Sequence, residues 1–219
     1  MTDKACRKGW LAVAIIAGVV ILDQILKIWV KTSFYLGESL PITSWFQLYF
    51  IENNGMAFGM EFGSKLLLTL FRIVAVSGLI WYITTLLRRD PAVRTGYIVC
   101  LSLITAGAAG NIFDCLLYGL IFNNPMPPEV AVMFPPDGGY APLFHGKVVD
   151  MLYFPLFSFD WPQWVPWFGG EHFIFFQPIF NLADAAITVG MLTLLIFYSR
   201  YLSAPPRSVD NAGKEDGLQ

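Results

Sequence analysis

The sequence predicts an all-α membrane protein of four transmembrane helices, carrying a small extramembrane β-sheet and a long outer loop. Three observations carry this class. The 219 residues are 56% hydrophobic and 14% charged with a mean hydropathy of +0.57, which lies outside the range of soluble domains. Four stretches reach the roughly 20 apolar residues that a bilayer crossing needs, at about 10–30, 66–87, 95–122 and 179–202. The basic residues are divided unevenly between the connections, as membrane topology requires.

The first stretch follows Lys4, Arg7 and Lys8. A basic start before an apolar run also describes a cleavable signal peptide. This run is longer than a signal core, is interrupted by Asp23, Gln24 and Lys27, and has no small-residue cleavage site after it, so it is read as a retained helix. In the outer loop 31–65, Ser44 to Glu52 is rich in aromatic and β-branched residues and ends in the turn formers Asn53-Asn54-Gly55. That pattern predicts a strand and a turn on the membrane surface.

Arg88, Arg89 and Arg94 lie between the second and third stretches, and Arg200, Arg207 and Lys214 follow the fourth. The outer loops 31–65 and 123–178 contribute only Lys31, Lys65 and Lys147. Both termini are therefore expected in the cytoplasm. The loop 123–178 begins with Pro125, Pro127, Pro128, Pro135, Pro136, Gly138 and Gly139, which break regular structure. Its later part is dense in Trp and Phe, the composition of an interfacial belt, for which simple anchoring is the principal reading. Residues 1–202 are expected to form one membrane-embedded domain, and the polar segment 203–219 a disordered cytoplasmic tail.

Several chemistries find no support. Cys6, Cys100 and Cys115 have no paired spacing, so neither a disulfide framework nor a metal knuckle is implied. His145 and His172 sit in the outer loop without metal-ligand spacing or a Ser or Cys elbow, and read as solvated histidines. Nothing basic beside Cys115 would activate its thiol. There is no basic patch for nucleic acid, and no metal or cofactor is expected.

The informative residues are the polar ones inside the spans, because an ionisable group there costs roughly 2.5–3.5 kcal/mol on insertion scales. Asn111 and Asp114 are three apart in the outer half of the third span. Asn181 and Asp184 are three apart near the outer start of the fourth, and Asp23 lies about two thirds of the way out along the first. Three helices thus place polar groups at one depth. Some of these have structural readings. Asp23 and Lys27 form an i, i+4 pair that serves equally as an ion pair, Asn111 and Asn181 serve equally as interhelical glue, and Asp114 reads first as a brace for its helix end. Gly107 and Gly110, with neighbouring alanines, mark close helix packing. Asp150, in the short apolar run 148–152, and Asp184, with no basic residue one turn away, are harder to assign to structure.

Two carboxylates at the edge of a low-dielectric region suggest one chemistry. Like charges a few ångströms apart cannot both ionise, so such a pair holds a single proton near neutral pH. The ionised member takes a proton from water while the protonated member polarises a scissile carbonyl. A proton channel or transporter is the rival reading, but it needs polar residues continuing inward, where only Ser102, Thr193 and Tyr198 are found. A non-catalytic membrane scaffold is a third.

Taken together, Asp23-Gln24 with Lys27, Asn53-Asn54-Gly55-Met56-Ala57-Phe58-Gly59, Gly110-Asn111-Ile112-Phe113-Asp114, Val148-Val149-Asp150 and Phe180-Asn181-Leu182-Ala183-Asp184 resemble the lipoprotein signal peptidase family, also called signal peptidase II. The resemblance covers about 10–119 and 146–200. It implies an aspartic endopeptidase of the bacterial cytoplasmic membrane. Such an enzyme removes the signal peptide from diacylglyceryl-modified prolipoproteins immediately before the lipidated cysteine, near the outer face, and is inhibited by the peptide antibiotic globomycin. By motif position Asp150 and Asp184 would be catalytic. Asn53, Gly55, Asn111, Asp114, Asn181, Asp23 and Lys27 would bind substrate or support the site. Two departures stand out: Cys115 occupies the place where the family usually has Arg, and roughly Leu120 to His145 is inserted before the Val-Val-Asp motif.

Overall fold

The computed structural model describes residues 2–53 and 65–203. Gly55, the rest of the turn after Asn53, and the tail beyond Ser203 lie outside the described residues.

The helices are α1 (Asp3–Ser33), α2 (Lys65–Arg89), α3 (Thr95–Phe113), the single turn α4 (Gly119–Ile121) and α5 (Leu182–Ser203). A π-helical turn, Asp114–Tyr118, joins α3 to α4. Among the described residues, four helical stretches, with α3 to α4 counted as one, are long and apolar enough to cross a membrane, and the chain is a multi-pass membrane protein. The strands are β1 (Ser39–Thr43), β2 (Phe46–Asn53), β3 (Val148–Tyr153), β4 (Phe157–Asp160), β5 (His172–Phe175) and β6 (Ile179–Phe180).

The four apolar helices come with sheet, as expected, but there are two antiparallel sheets among the described residues rather than one, and strands make up 17% of the residues beside 54% helix. Part of the strand content comes from the long outer loop. The fourth helix also begins at Leu182 rather than 179, since Ile179 and Phe180 pair with Tyr153 and Leu152 instead. Asn181, the one residue between β6 and the helix, is the sequence's mark of that junction.

The chain divides into two compact units. The first draws on Met1–Gln24, Gly63–Phe113 and Leu182–Gln219. Here α3 and α5 pack backbone to backbone: a Cβ on Gly107 would lie 2.1 Å from the carbonyl oxygen of Ala183, and one on Gly190 would lie 2.9 Å from that of Cys100. Small residues at these positions are what close approach of membrane helices requires. Ile83, Leu86, Leu87, Tyr97, Ile98 and Leu194 form this unit's apolar core. Lys8 caps the α2–α3 connection, its Nζ donating to the carbonyls of Pro91 and Val93.

The second unit draws on Ile25–Phe62 and Asp114–Asn181. Its four-stranded sheet has the order β1-β2-β3-β6, and Val30, Phe34, Phe50, Tyr118, Phe122, Val149 and Met151 fill its core. The inserted segment 120–145 does not loop freely. It runs back along the end of the third span: Phe134, Tyr140, Ala141, Phe144 and Gly146 donate backbone N–H groups to the carbonyls of Ile121, Phe122, Gly119, Leu116 and Cys115. Helix ends leave such carbonyls without partners, so the insertion satisfies the end that it covers. Gly146 is required for the approach, since a Cβ there would lie 2.1 Å from the Asp114 carbonyl oxygen.

Candidate active site

In the second unit Asp150 sits on β3 and is 3% exposed. The β2–β3 register sets Ile51 opposite Asp150 and Asn53 opposite Val148. Asn53 and Asp150 are therefore diagonal neighbours on one face, within reach of their side chains. Asn53 Nδ2 donates to Asp150 Oδ2. Asn181, fully buried just after β6, donates Nδ2 to Asp150 Oδ1 at 2.6 Å and lies 3.3 Å from the Val149 carbonyl oxygen. One carboxylate is thus held at both oxygens by amides that come from either side along the chain.

In the first unit Asp184 lies in the first turn of α5, where the helix dipole favours an anion. Asn111 Nδ2 donates to Asp184 Oδ1 at 2.7 Å. The buried Asp23 carboxylate accepts the N–H of Ala183 at 2.9 Å. A residue of α1 therefore supplies the cap that α5 would otherwise take from its own N-cap side chain. Gln24 Nε2 reaches both Asp23 Oδ2 and the Gly110 carbonyl at 3.3 Å, linking α1 to α3.

Lys27 Nζ lies 2.6 Å from Asp114 Oδ2, with both side chains 0% exposed. Asp114 opens the π turn. Of the other candidates, His145 is exposed, its Nδ1 2.9 Å from the Leu143 carbonyl oxygen, and His172 pairs with Asp160. Cys115 is buried. Among the described residues, no group of three or more His, Cys, Asp or Glu side chains is placed to hold a metal ion.

With this geometry in hand, the comparison with known proteins is specific. Residues 15–200 match the family model described as signal peptidase (SPase) II. The chain belongs to the signal peptidase II family. A relative from Porphyromonas gingivalis named lipoprotein signal peptidase is 47% identical over 196 residues, 90% of this chain and 86% of the relative. Another of that name, from Amoebophilus asiaticus, is 38% identical over 199 residues, covering 87% and 78%. Two solved structures described as bacterial membrane enzymes share the fold. One has a TM-score of 0.56 at 23% identity, covering 85% of this chain and 90% of its own. The other has a TM-score of 0.58 at 22%, covering 91% and 94%. Membership of the signal peptidase II family makes the chain a peptidase.

One group escaped the sequence reading. Lys31, 1% exposed at the end of α1, pairs with Glu52, and Lys147 Nζ lies 3.3 Å from the other Glu52 oxygen. The rings of Phe50, Phe122 and Tyr140 surround Lys31 with centroids at 5.3 to 5.9 Å. The Lys147 N–H donates to the Tyr140 hydroxyl at 2.6 Å, and burial pushes the Tyr140 phenol above its usual range. Glu52 precedes Asn53, and Lys147 lies three residues before Asp150, so the cluster braces both strands that carry the Asn53–Asp150 contact. A signal existed, because Asp23, Lys27 and Lys31 recur every four residues along one face of α1.

Proposed function

We propose that this signal peptidase II family member is an aspartic endopeptidase of the bacterial cytoplasmic membrane, with both termini in the cytoplasm. It cleaves the signal peptide from diacylglyceryl-modified prolipoproteins immediately before the lipidated cysteine, near the outer face. Asp150 and Asp184 act as the dyad. The observation that carries this reading is the matching support of the two carboxylates: each accepts a side-chain amide from an asparagine, Asn181 on Asp150 and Asn111 on Asp184. Asn181 also stands three residues before Asp184. A single short stretch of backbone therefore carries a ligand of one carboxylate and the other carboxylate itself.

In this mechanism the dyad holds one proton. The ionised carboxylate draws a proton from water as it attacks the scissile carbonyl, and the protonated one hydrogen-bonds the developing oxyanion. The proton then passes to the leaving amide nitrogen. Amide donors on both oxygens of Asp150 and on Oδ1 of Asp184 hold each carboxylate in place, which is the positioning that such a reaction depends on. Asn53, Asn111 and Asn181 are positioning residues, Asp23 holds the start of α5, and Lys27 with Asp114 holds the π turn. Gly55 keeps its family assignment in the substrate-binding turn.

Gel-shift processing of a purified precursor tests the substrate class. The diacylglyceryl form is expected to lose its signal peptide, the unlipidated form to remain intact, and globomycin to stop the reaction. Equal processing of the unlipidated form would contradict the assignment.

A further inference from the structure

The β4–β5 ribbon lies outside the hydrogen bonds that hold either carboxylate. Its register pairs Phe157 with Phe175 and Phe159 with Phe173, so four phenylalanines share one face, with ring centroids 4.7 and 5.1 Å apart in the two pairs. The other face carries Ser158 and the Asp160–His172 pair, 2.6 Å apart. Phe157 and Phe175 remain 53% and 44% exposed. A two-stranded ribbon is at best marginally stable in water, so this face needs a cover.

Three features select the cover. First, the tip Trp161–Gly170 contains no charged residue, whereas Asp160, Glu171 and His172 ring its neck. Trp164 and Trp167 at the tip are 81% and 91% exposed. Trp167 is also held at φ +67°, a conformation that is strained for a non-glycine residue and persists only where the surrounding structure enforces it. Second, the tip satisfies part of its own backbone. Trp161 donates to the Glu171 carbonyl, Gly170 to that of Trp161, Val165 to that of Pro162 and Gly169 to that of Val165, while Pro162 and Pro166 have no N–H to satisfy. Internal pairing of this kind favours a place at the lipid boundary, because lipid offers no hydrogen bonds. Third, the same unit contains Ile25–Ser33, the end of a membrane span on which Ile25 and Trp29 are 58% and 45% exposed. A bilayer surface therefore already runs past this unit, and Trp is a residue that favours its interface.

We propose that the β4–β5 hairpin is a membrane wedge. Trp164 and Trp167 seat in the interfacial layer of the bilayer, the phenylalanine face lies against acyl chains, and the charged neck sets the depth at the headgroups. Lipid, rather than a protein partner, covers the hairpin. The wedge gives the outer loop an attachment of its own, separate from the four spans.

Spin-label accessibility in lipid nanodiscs tests this. Cys6→Ser removes the exposed thiol, leaving the buried Cys100 and Cys115, and a nitroxide is placed at Trp167→Cys or, as a water-facing control, at the exposed Asp137→Cys. The Trp167 label is expected to collide several-fold more with oxygen than with a water-soluble nickel chelate, and the Asp137 label to show the reverse. A Trp167 label as open to the chelate as the control overturns the wedge. So does one that is shielded only when a prolipoprotein is added. If the labelled variants do not fold, quenching by brominated lipid decides with native fluorescence. Trp164→Phe/Trp167→Phe is expected to lower the lipid-quenched fraction, and an unchanged fraction overturns the proposal.

Discussion

Asn181 donates its amide to Asp150 across 2.6 Å, and three residues later the same chain presents Asp184. In the proposed mechanism this amide fixes one carboxylate while its backbone leads directly to the other. Asn181→Ala is expected to lower the processing rate about 10²-fold, the usual penalty for misplacing a reacting group. Asn181→Asp is expected to do at least as much damage, because it sets a second carboxylate against Asp150. Initial rates on a diacylglyceryl precursor, measured beside the melting temperature of each variant, separate the effect from unfolding.

The Lys27–Asp114 pair is fully buried, so its two halves should be strongly coupled. Lys27→Met removes a cation 2.6 Å from a buried carboxylate and is expected to cost about 3–5 kcal/mol, whereas Lys27→Met with Asp114→Leu should recover most of that loss. A double-substitution cycle of denaturant unfolding in mild detergent measures the coupling.

Glu52 and Lys147 should behave unequally although they touch. Glu52 is 2% exposed and accepts from Lys31, while Lys147 is 30% exposed. Glu52→Gln is therefore expected to cost several kcal/mol, roughly the 3–5 kcal/mol of a broken buried pair. Lys147→Ala should cost no more than about 1 kcal/mol. Parallel unfolding of the two variants checks the ranking.

Gly107 and Gly18 make a matched contrast. A Cβ at Gly107 meets backbone at 2.1 Å, while one at Gly18 meets nothing within 4 Å. Gly107→Val is expected to destabilise by at least about 1–3 kcal/mol through overpacking against α5. Gly18→Ala should be neutral or stabilising by up to about 1 kcal/mol from helix propensity. The same unfolding assay reads both.

Much of this arrangement is visible in the sequence, for a physical reason: polar groups in apolar spans are costly, so Asp23, Asn111, Asp114, Asn181 and Asp184 stand out against their surroundings. Partner choice is less visible. Asn53 and Asp150 are 97 residues apart, and their contact depends on a β2–β3 register that shifts between Leu48 and Ile51. Lys27 also lies against Asp114, 87 positions further along the chain, and local spacing cannot announce that partner. Lys31 and Lys147 read as loop charges marking topology; the four-residue spacing puts Lys31 on the polar face of α1, but nothing local reveals that Glu52 pairs with both or that three aromatic rings surround Lys31. The segment 120–145 has no periodicity to announce that it satisfies a helix end. The ribbon β4–β5 hides inside an aromatic run that reads equally well as an anchor without regular structure.

The central claim is that Asp150 and Asp184 together activate water. The most direct measurement is the processing rate of a diacylglyceryl precursor by purified Asp150→Asn and Asp184→Asn, each shown by its melting temperature to remain folded. Each substitution keeps the size of the side chain and removes its capacity to carry the shared proton. The account predicts a loss of about 10²–10⁴-fold or more in each variant, with the double variant little worse than either single one because the two act as a unit. Processing by either folded variant at the wild-type rate would contradict it.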